Sequence, residues 1–187
     1  MYPALRAHIE KIVPLTDSEY TMLCEHFTSK SFAKNEYIVR EGEPVRYNYF
    51  ILSGLTKLVY TEESGKEHIL SFAMEDWWDN DFQAWYYQSA AKLSMVCLEP
   101  TDCLCLTLEH FHQLCLTFPK FEHFFVSKAI GGFLASQRRI LSLMTSDAQA
   151  RYRQFVQYYP SLIQRLPKTQ LAAYLGVSRE TLSRLVL

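Results

Sequence analysis

The sequence predicts an α+β protein with an antiparallel β-roll, then one long helix, then a helix-turn-helix. Three observations predict this order: short β-rich runs follow Phe32, a long helical stretch follows Pro119, and two short helical segments flank Gly176. Short strands at close spacing are typical of rolls and sandwiches, whereas apolar residues three and four apart indicate helices. The predicted units are a β-roll at 1–118, a long helix at 119–145 and a helix-turn-helix at 146–187.

The β-rich part is divided by turn residues around Gly42, Gly54 and Gly65. One or two short helices are expected in residues 3–29, before the first strand, and another short helix in 109–115. Runs rich in β-branched and aromatic residues between such turns are predicted to be strands. The predicted strands are 37–39, 47–52, 56–60 and 67–72, with a second β-rich patch at 93–108.

The long helix carries a regular row of residues spaced three and four apart: Ser127, Ile130, Leu134, Gln137, Leu141 and Met144. This spacing is typical of the seam of a two-stranded coiled coil and favours a dimerisation helix. The alternative is that the same face packs on the chain's own β-domain. Gly131 and Gly132 lower the helix propensity and permit either a close helix approach or a hinge.

The segment KTQLAAYLGVSRETLSRLVL has the pattern of two short helices crossed at a steep angle. Ala172 allows close approach, Gly176 permits the positive φ of the turn, and Ser178 stands at an N-cap position. The polar face of the second helix suits base edges and phosphates in a major groove. The candidate DNA-binding residues are Lys168, Thr169, Ser178, Arg179, Glu180, Ser183 and Arg184. An ordinary helical hairpin with a solvated polar face is the alternative.

The charge distribution supports the DNA-binding interpretation. The chain has a formal net charge of −1, but the part from Arg138 onwards contains eight basic residues and two acidic ones. The rest of the chain is therefore acidic. A basic end on an acidic body is typical of a protein whose end meets nucleic acid.

Composition and cysteine usage exclude other classes. The N-terminal segment is charged throughout, unlike a signal peptide, and no apolar run reaches the roughly 20 residues of a membrane span. We expect a cytoplasmic protein with no membrane partner. An odd number of cysteines without a metal-ligand pattern predicts small buried side chains rather than disulfides or a metal site. These cysteines are Cys24, Cys97, Cys103, Cys105 and Cys115.

No catalytic residues are predicted. A cupin enzyme would also be a small β-barrel, but it needs a histidine cluster, and His68, His110 and His112 lack the cupin spacing. No Ser-His-Asp or Cys-His set is recognisable either. The chain is therefore predicted not to be an enzyme.

The chain resembles the Crp/Fnr family of bacterial transcription regulators over nearly its whole length. The resemblance lies in FILSG at 50–54, in GKEHILS at 65–71 and in GVSRETLSR at 176–184. It implies a double-stranded β-helix like a cyclic-nucleotide-binding domain, a homodimer, and a palindromic operator in double-stranded DNA. It also implies that Arg179, Glu180 and Arg184 contact bases or nearby phosphates, and it makes RNA polymerase a candidate partner.

The effector pocket departs from the family pattern. The segment has no Gly-Glu pair, Gln88 stands where the phosphate-binding arginine would be, and no arginine occurs between Arg46 and Arg138. Four acids in the segment would repel a phosphate. We expect no tight binding of cyclic AMP, an unknown effector and no cofactor. The residues of this degenerate pocket are Trp77, Trp78, Asp79, Asn80, Gln88, Ser89 and Ala90.

Two points about this segment and the C-terminus stay open. The aromatic cluster Trp77, Trp78, Trp85, Tyr86 and Tyr87 either fills the vacated pocket, which we favour, or lines a site for another ligand. An iron–sulfur cluster is not expected, because the N-terminal region has only Cys24. The chain ends after Leu187 without the β-hairpin wing of the family, so a ligand-sensing module that does not bind DNA specifically is the alternative function.

Overall fold

The computed structural model describes residues 1–185; Val186 and Leu187, where the sequence suggested a missing wing, lie outside them. The elements in chain order are α1 Pro3–Glu10, α2 Asp17–Cys24, β1 Thr28–Phe32, β2 Tyr37–Val39, β3 Tyr47–Ser53, β4 Leu55–Thr61, β5 Glu67–Met74, β6 Trp78–Asp79, α3 Phe82–Tyr87, β7 Ser94–Cys97, β8 Thr101–Thr107, α4 Leu108–Thr117, α5 Pro119–Thr145, α6 Ala148–Tyr158, α7 Pro160–Ile163, α8 Lys168–Leu175 and α9 Arg179–Leu185.

The strands form two four-stranded antiparallel sheets. One has the order β1-β8-β3-β6 and the other β2-β7-β4-β5. Fully buried side chains such as Ile51, Met95 and Cys103 fill the space between them. The roll, the long helix and the C-terminal helices confirm the predicted α+β class.

Four short elements were not predicted. Strand β1 lies at the edge of its sheet, where it pairs with β8, and it is exposed along most of its length. Its sequence TSKSF therefore lacks the alternation of apolar and polar residues by which a strand is recognised. Strand β6 has only two residues, too few for a periodic signal. Helix α3 lies within the acidic and aromatic segment, where no helix was predicted. The fourth is helix α7, which begins at Pro160 because proline is tolerated in a first turn.

Helix α5 packs on the rest of the chain through its first turns. Phe121 and Phe124 are its buried residues, and they join a core with Leu5, Ile9 and Phe50. Further along, the predicted apolar row is exposed: Leu141 is 61% and Met144 78% accessible. The alternative that this face packs on the chain's own β-domain is therefore wrong for the second half of α5.

The last four helices, α6 to α9, form a helical unit that covers the outer face of the second sheet. Leu55, Val59 and Phe72 of the sheet share one core with Leu171 and Leu182 of the unit. Phe72 and Tyr174 stack with ring centroids 5.2 Å apart. Burial of apolar area on both sides stabilises this arrangement.

Candidate DNA-binding helix and effector pocket

Helices α8 and α9 are joined by a tight turn at Gly176. Its φ is +67°, a conformation that favours glycine. The N–H of Val177 donates to the carbonyl of Ala172 at 3.0 Å, and the N–H of Gly176 donates to that of Ala173 at 3.2 Å. These two bonds form a Schellman motif. The predicted turn after the first helix is therefore present.

The core of the helical pair matches the apolar pattern. Leu171, Ala172, Leu175 and Leu182 are all buried. The small side chain of Ala172 shares a buried core with Leu182 of α9. Pro167 is the N-cap of α8, directly before its first helical residue.

Ser178 caps α9 with its side chain. Its Oγ accepts from the N–H of Thr181 at 3.1 Å, which satisfies one of the free donors of the first turn. Glu180 follows in that turn. Its own N–H and the Ser178 hydroxyl hold the pKa of its carboxyl below the ordinary value, with smaller contributions from Arg179 and Arg184. Glu180 is therefore ionised at neutral pH and can accept from a base.

The predicted DNA-binding side chains lie at the start of α8 and along α9. All are exposed except Ser183, which is partly buried. Within residues 1–185, the cations Lys168, Arg179 and Arg184 form no ion pair. Their charges are therefore available to a polyanion.

Two arginines hold the helical unit against the roll. Arg165 donates to Glu75 and Glu99 and to the carbonyl of Gly54 at 2.9 Å. Arg139 of α5 donates to the carbonyls of Ile69 at 2.8 Å and Tyr174 at 2.9 Å. Sequence reasoning missed both, because their partners are distant along the chain.

The effector segment is organised around Asp81. Its Oδ1 accepts from the N–H of Ala84 at 3.0 Å and caps α3. Its Oδ2 accepts from the N–H groups of Lys92 at 2.8 Å and Leu93 at 3.1 Å. Backbone N–H groups at a helix start are a common anion site. Here the chain's own carboxylate, 3% exposed, takes that place.

Asp79 adds a second buried carboxyl beside it. Burial raises its pKa to about 7, although hydrogen bonds from the Asn80 N–H and the Ser71 hydroxyl act in the opposite direction. Asn80 is also buried and donates from its amide to the carbonyl of Tyr47 at 2.7 Å. The interior near β6 therefore disfavours the binding of a further negative charge.

The remaining pocket residues do not come together. Gln88 has a φ of +51° at the end of α3, and its amide donates to the carbonyl of Trp85 at 2.5 Å. Gln88, Ser89 and Ala90 are exposed. Sequence comparison placed Gln88 at an anion-binding position, but its side chain closes the helix end.

The aromatic cluster is also divided among different surroundings. Trp85 is buried in the roll and meets Phe111 edge to face, with 5.4 Å between the ring centroids. Trp78 joins the core beneath α1 and α5, and Trp77 packs on Tyr159 of the helical unit. Tyr86 and Tyr87 are exposed. Trp85 thus fills the interior of the roll as expected, and Trp77 packs against the same core from a partly buried position.

Two negative findings concern the described residues only. No helix there is long and apolar enough to cross a bilayer. No group of three or more His, Cys, Asp or Glu side chains in residues 1–185 could hold a metal ion.

The comparisons with known proteins agree with this geometry. Residues 29–118 match the family model for the cyclic nucleotide-binding domain. No curated protein is significantly similar in sequence.

Several solved structures share the fold of nearly the whole chain. FixK2 from Bradyrhizobium japonicum is 17% identical, covers 86% of this chain and 82% of its own, and has a TM-score of 0.75. The c-di-GMP responsive regulator CLP from Xanthomonas campestris is 16% identical, with 91% and 90% covered and a TM-score of 0.73. A crp/fnr family regulator from Eubacterium rectale is 13% identical, with 92% and 82% covered and a TM-score of 0.69.

At such identities the structural likeness establishes the fold, and the family model establishes the domain. Residues 29–118 thus match the cyclic nucleotide-binding domain family, and the chain shares its fold with these solved regulators.

Proposed function

We propose that this chain is a cytoplasmic transcription regulator that binds a palindromic DNA operator as a homodimer. The observation that carries the proposal is the capped helix α9, which displays Arg179, Glu180 and Arg184 to solvent on a buried apolar support. A helix of this kind is the element that helix-turn-helix proteins place in the major groove. RNA polymerase is a candidate partner on DNA.

The dimer is supported by the exposed row on α5. Ile130, Leu134 and Leu141 follow one another at spacings of four and seven residues and are about half exposed or more. Such a row would be costly to leave in water and fits the seam of a parallel pair of helices. Two copies joined there would present two copies of α9, as a two-fold symmetric operator requires.

The effector is proposed to be something other than cyclic AMP. The N–H of Ala84 at the start of α3 and the N–H groups of Lys92 and Leu93 already donate to the Asp81 carboxylate. The chain has no arginine from 47 to 137 that could pair with a phosphate there. Calorimetry with cyclic AMP and with cyclic GMP tests this directly; binding of either in the micromolar range would contradict it.

Selection from random duplexes at low and moderate salt tests the DNA proposal. Enrichment of a two-fold symmetric sequence is the expected result. Weak binding without selection, present at low salt only, would favour the alternative of a ligand-sensing module without specific DNA binding. A variant with both Arg179 and Arg184 replaced by alanine is the matched control, because it should lose selection while keeping the fold.

A further inference from the structure

A small cleft lies where helix α5 meets the helical unit, remote from the interior of the β-roll. It is formed by the second half of α5 together with α6 and α8, and its volume is about 50 Å³. Three arginines line it, Arg138 and Arg139 from α5 and Arg151 from α6. Tyr158 and Tyr174 line it as well, so the walls are cationic and aromatic.

The charge in this cleft is uncompensated. Within residues 1–185, none of the three arginines forms an ion pair. Arg139 is partly buried, and this burial lowers the pKa of its guanidinium. The positive charge of Arg151 lowers the same pKa by a smaller amount. Like charges brought together in a partly buried place are costly unless an anion lies between them.

The guanidinium groups are held in place by backbone carbonyls, which leaves donors free. Arg139 donates from Nη2 to the carbonyls of Ile69 and Tyr174, and its guanidinium lies over the Tyr174 ring, 3.6 Å from the centroid. Arg151 uses Nε toward Leu175 at 2.9 Å and Nη1 toward Ser146 at 2.6 Å. Each guanidinium has five N–H donors, so within residues 1–185 Nη2 of Arg151 remains for a ligand. Arginine forks fixed in this way suit phosphate oxygens.

We propose that this cleft binds a phosphate-class oxyanion, which bridges α5 and the helical unit. A water molecule needs about 10–15 Å³ of such space, so the cleft holds a group the size of a few waters, as a tetrahedral oxyanion is. Arg138 stands at its mouth over the exposed ring of Tyr158, 5.5 Å from the centroid. The site is separate from the effector pocket and does not depend on DNA binding.

The test is calorimetry of the full chain with inorganic phosphate at constant ionic strength. Saturable binding with a dissociation constant of about 1 mM or tighter is expected. Arg138→Ala should weaken it about tenfold or more, since one charge-assisted contact is lost. Arg153→Ala is the matched control, because Arg153 is an exposed arginine of α6 that does not line the cleft; it should stay within about twofold of the parent.

A second measurement covers the case in which a variant folds poorly. Phosphate should raise the melting temperature of the parent and of Arg153→Ala, and less that of Arg138→Ala. Absence of saturable binding up to about 20 mM phosphate, or equal affinity in both variants, would overturn the proposal.

A separate arm with a DNA duplex distinguishes free phosphate from a DNA phosphate. If Arg138→Ala lowered the salt dependence of duplex binding by about one phosphate contact while free phosphate did not bind, the cleft would serve the DNA backbone. That result would also overturn the proposal for a small anion.

Discussion

The Nη1 of Arg165 lies 2.7 Å from Oε2 of Glu75, although 90 residues separate them in the chain. The same guanidinium lies 2.6 Å from Oε2 of Glu99. Arg165 follows α7 in the helical unit, whereas both glutamates belong to the roll. One side chain thus ties the candidate DNA-binding unit to the effector domain.

Replacing this arginine should loosen the docked arrangement. Arg165→Ala leaves Glu75 and Glu99 beside each other without a cation. We therefore expect the free energy of unfolding to fall by about 1–2 kcal/mol. The value is modest because all three side chains are partly exposed. Urea unfolding followed by tryptophan fluorescence measures it. Arg153→Ala serves as the control, and an equal midpoint for the two variants would contradict the assignment.

The same ion pair predicts a pH dependence. Burial alone would raise the pKa of Glu75, but hydrogen bonds from Arg165 and from backbone N–H groups, including that of Gly54, hold it below its ordinary value. The stabilisation is therefore present at neutral pH and is lost as the pH falls through this lowered pKa. The stability gap between the parent and Arg165→Ala should narrow in acid, and a gap that stays constant would speak against the pair.

Asp79 predicts the opposite slope. Its folded pKa of about 7 lies above that of an unfolded aspartate, so between about pH 4 and pH 7 the folded state holds a proton that the unfolded state lacks. Its contribution to stability falls as the pH rises through that window. Asp79→Asn should remove this slope and raise the free energy of unfolding at pH 8 by about 1–3 kcal/mol. Urea unfolding at pH 5.5 and pH 8 checks this; similar slopes in parent and variant would exclude a buried titrating Asp79.

Local signals in the sequence were sufficient for the larger elements. Pro119 with the apolar spacing predicted α5, and Gly176 with Ser178 predicted the turn and the cap of α9. The contacts of Asp81 and Arg165 could not be read in this way, because their partners lie 11 or more residues away. An aspartate directly before a helix is a capping signal, so part of the role of Asp81 was available from the sequence. The partners at Lys92 and Leu93 were not.

Asp81 should be critical for the stability of the roll. Asp81→Ala removes the cap of α3 and leaves the N–H groups of Lys92 and Leu93 without their acceptor. A loss of about 2–4 kcal/mol in unfolding free energy is expected. Asp81→Asn, which keeps one acceptor oxygen, should lose less. Thermal unfolding measures the series, with the exposed Glu63→Ala as control; alanine and asparagine variants of equal stability would argue against the capping role.

The exposed row on α5 predicts the oligomeric state. Leu134→Glu puts a charge at the centre of the proposed seam, where it would face its own copy, and should convert a dimer to a monomer while the fold of each chain is kept. Sedimentation or light scattering measures the mass. Ser136→Glu, on another exposed face of the same helix, should leave the dimer intact. If Leu134→Glu remains dimeric, the chains associate through another surface.

Arg179 and Lys168 should affect DNA binding in different ways. Arg179 is exposed at the start of α9, where a bidentate contact to guanine would discriminate against other bases by about 1–3 kcal/mol. Arg179→Ala should therefore weaken binding to the selected operator and relax the sequence preference at one position in each half-site. Lys168 is exposed at the start of α8, where a lysine contacts phosphates. Lys168→Ala should therefore weaken all duplexes alike and reduce the salt slope by about 1 for each chain. Titration of the operator and an unrelated duplex at several salt concentrations separates the two effects. If both variants lost affinity equally for every sequence, α9 would not be the helix that reads the bases.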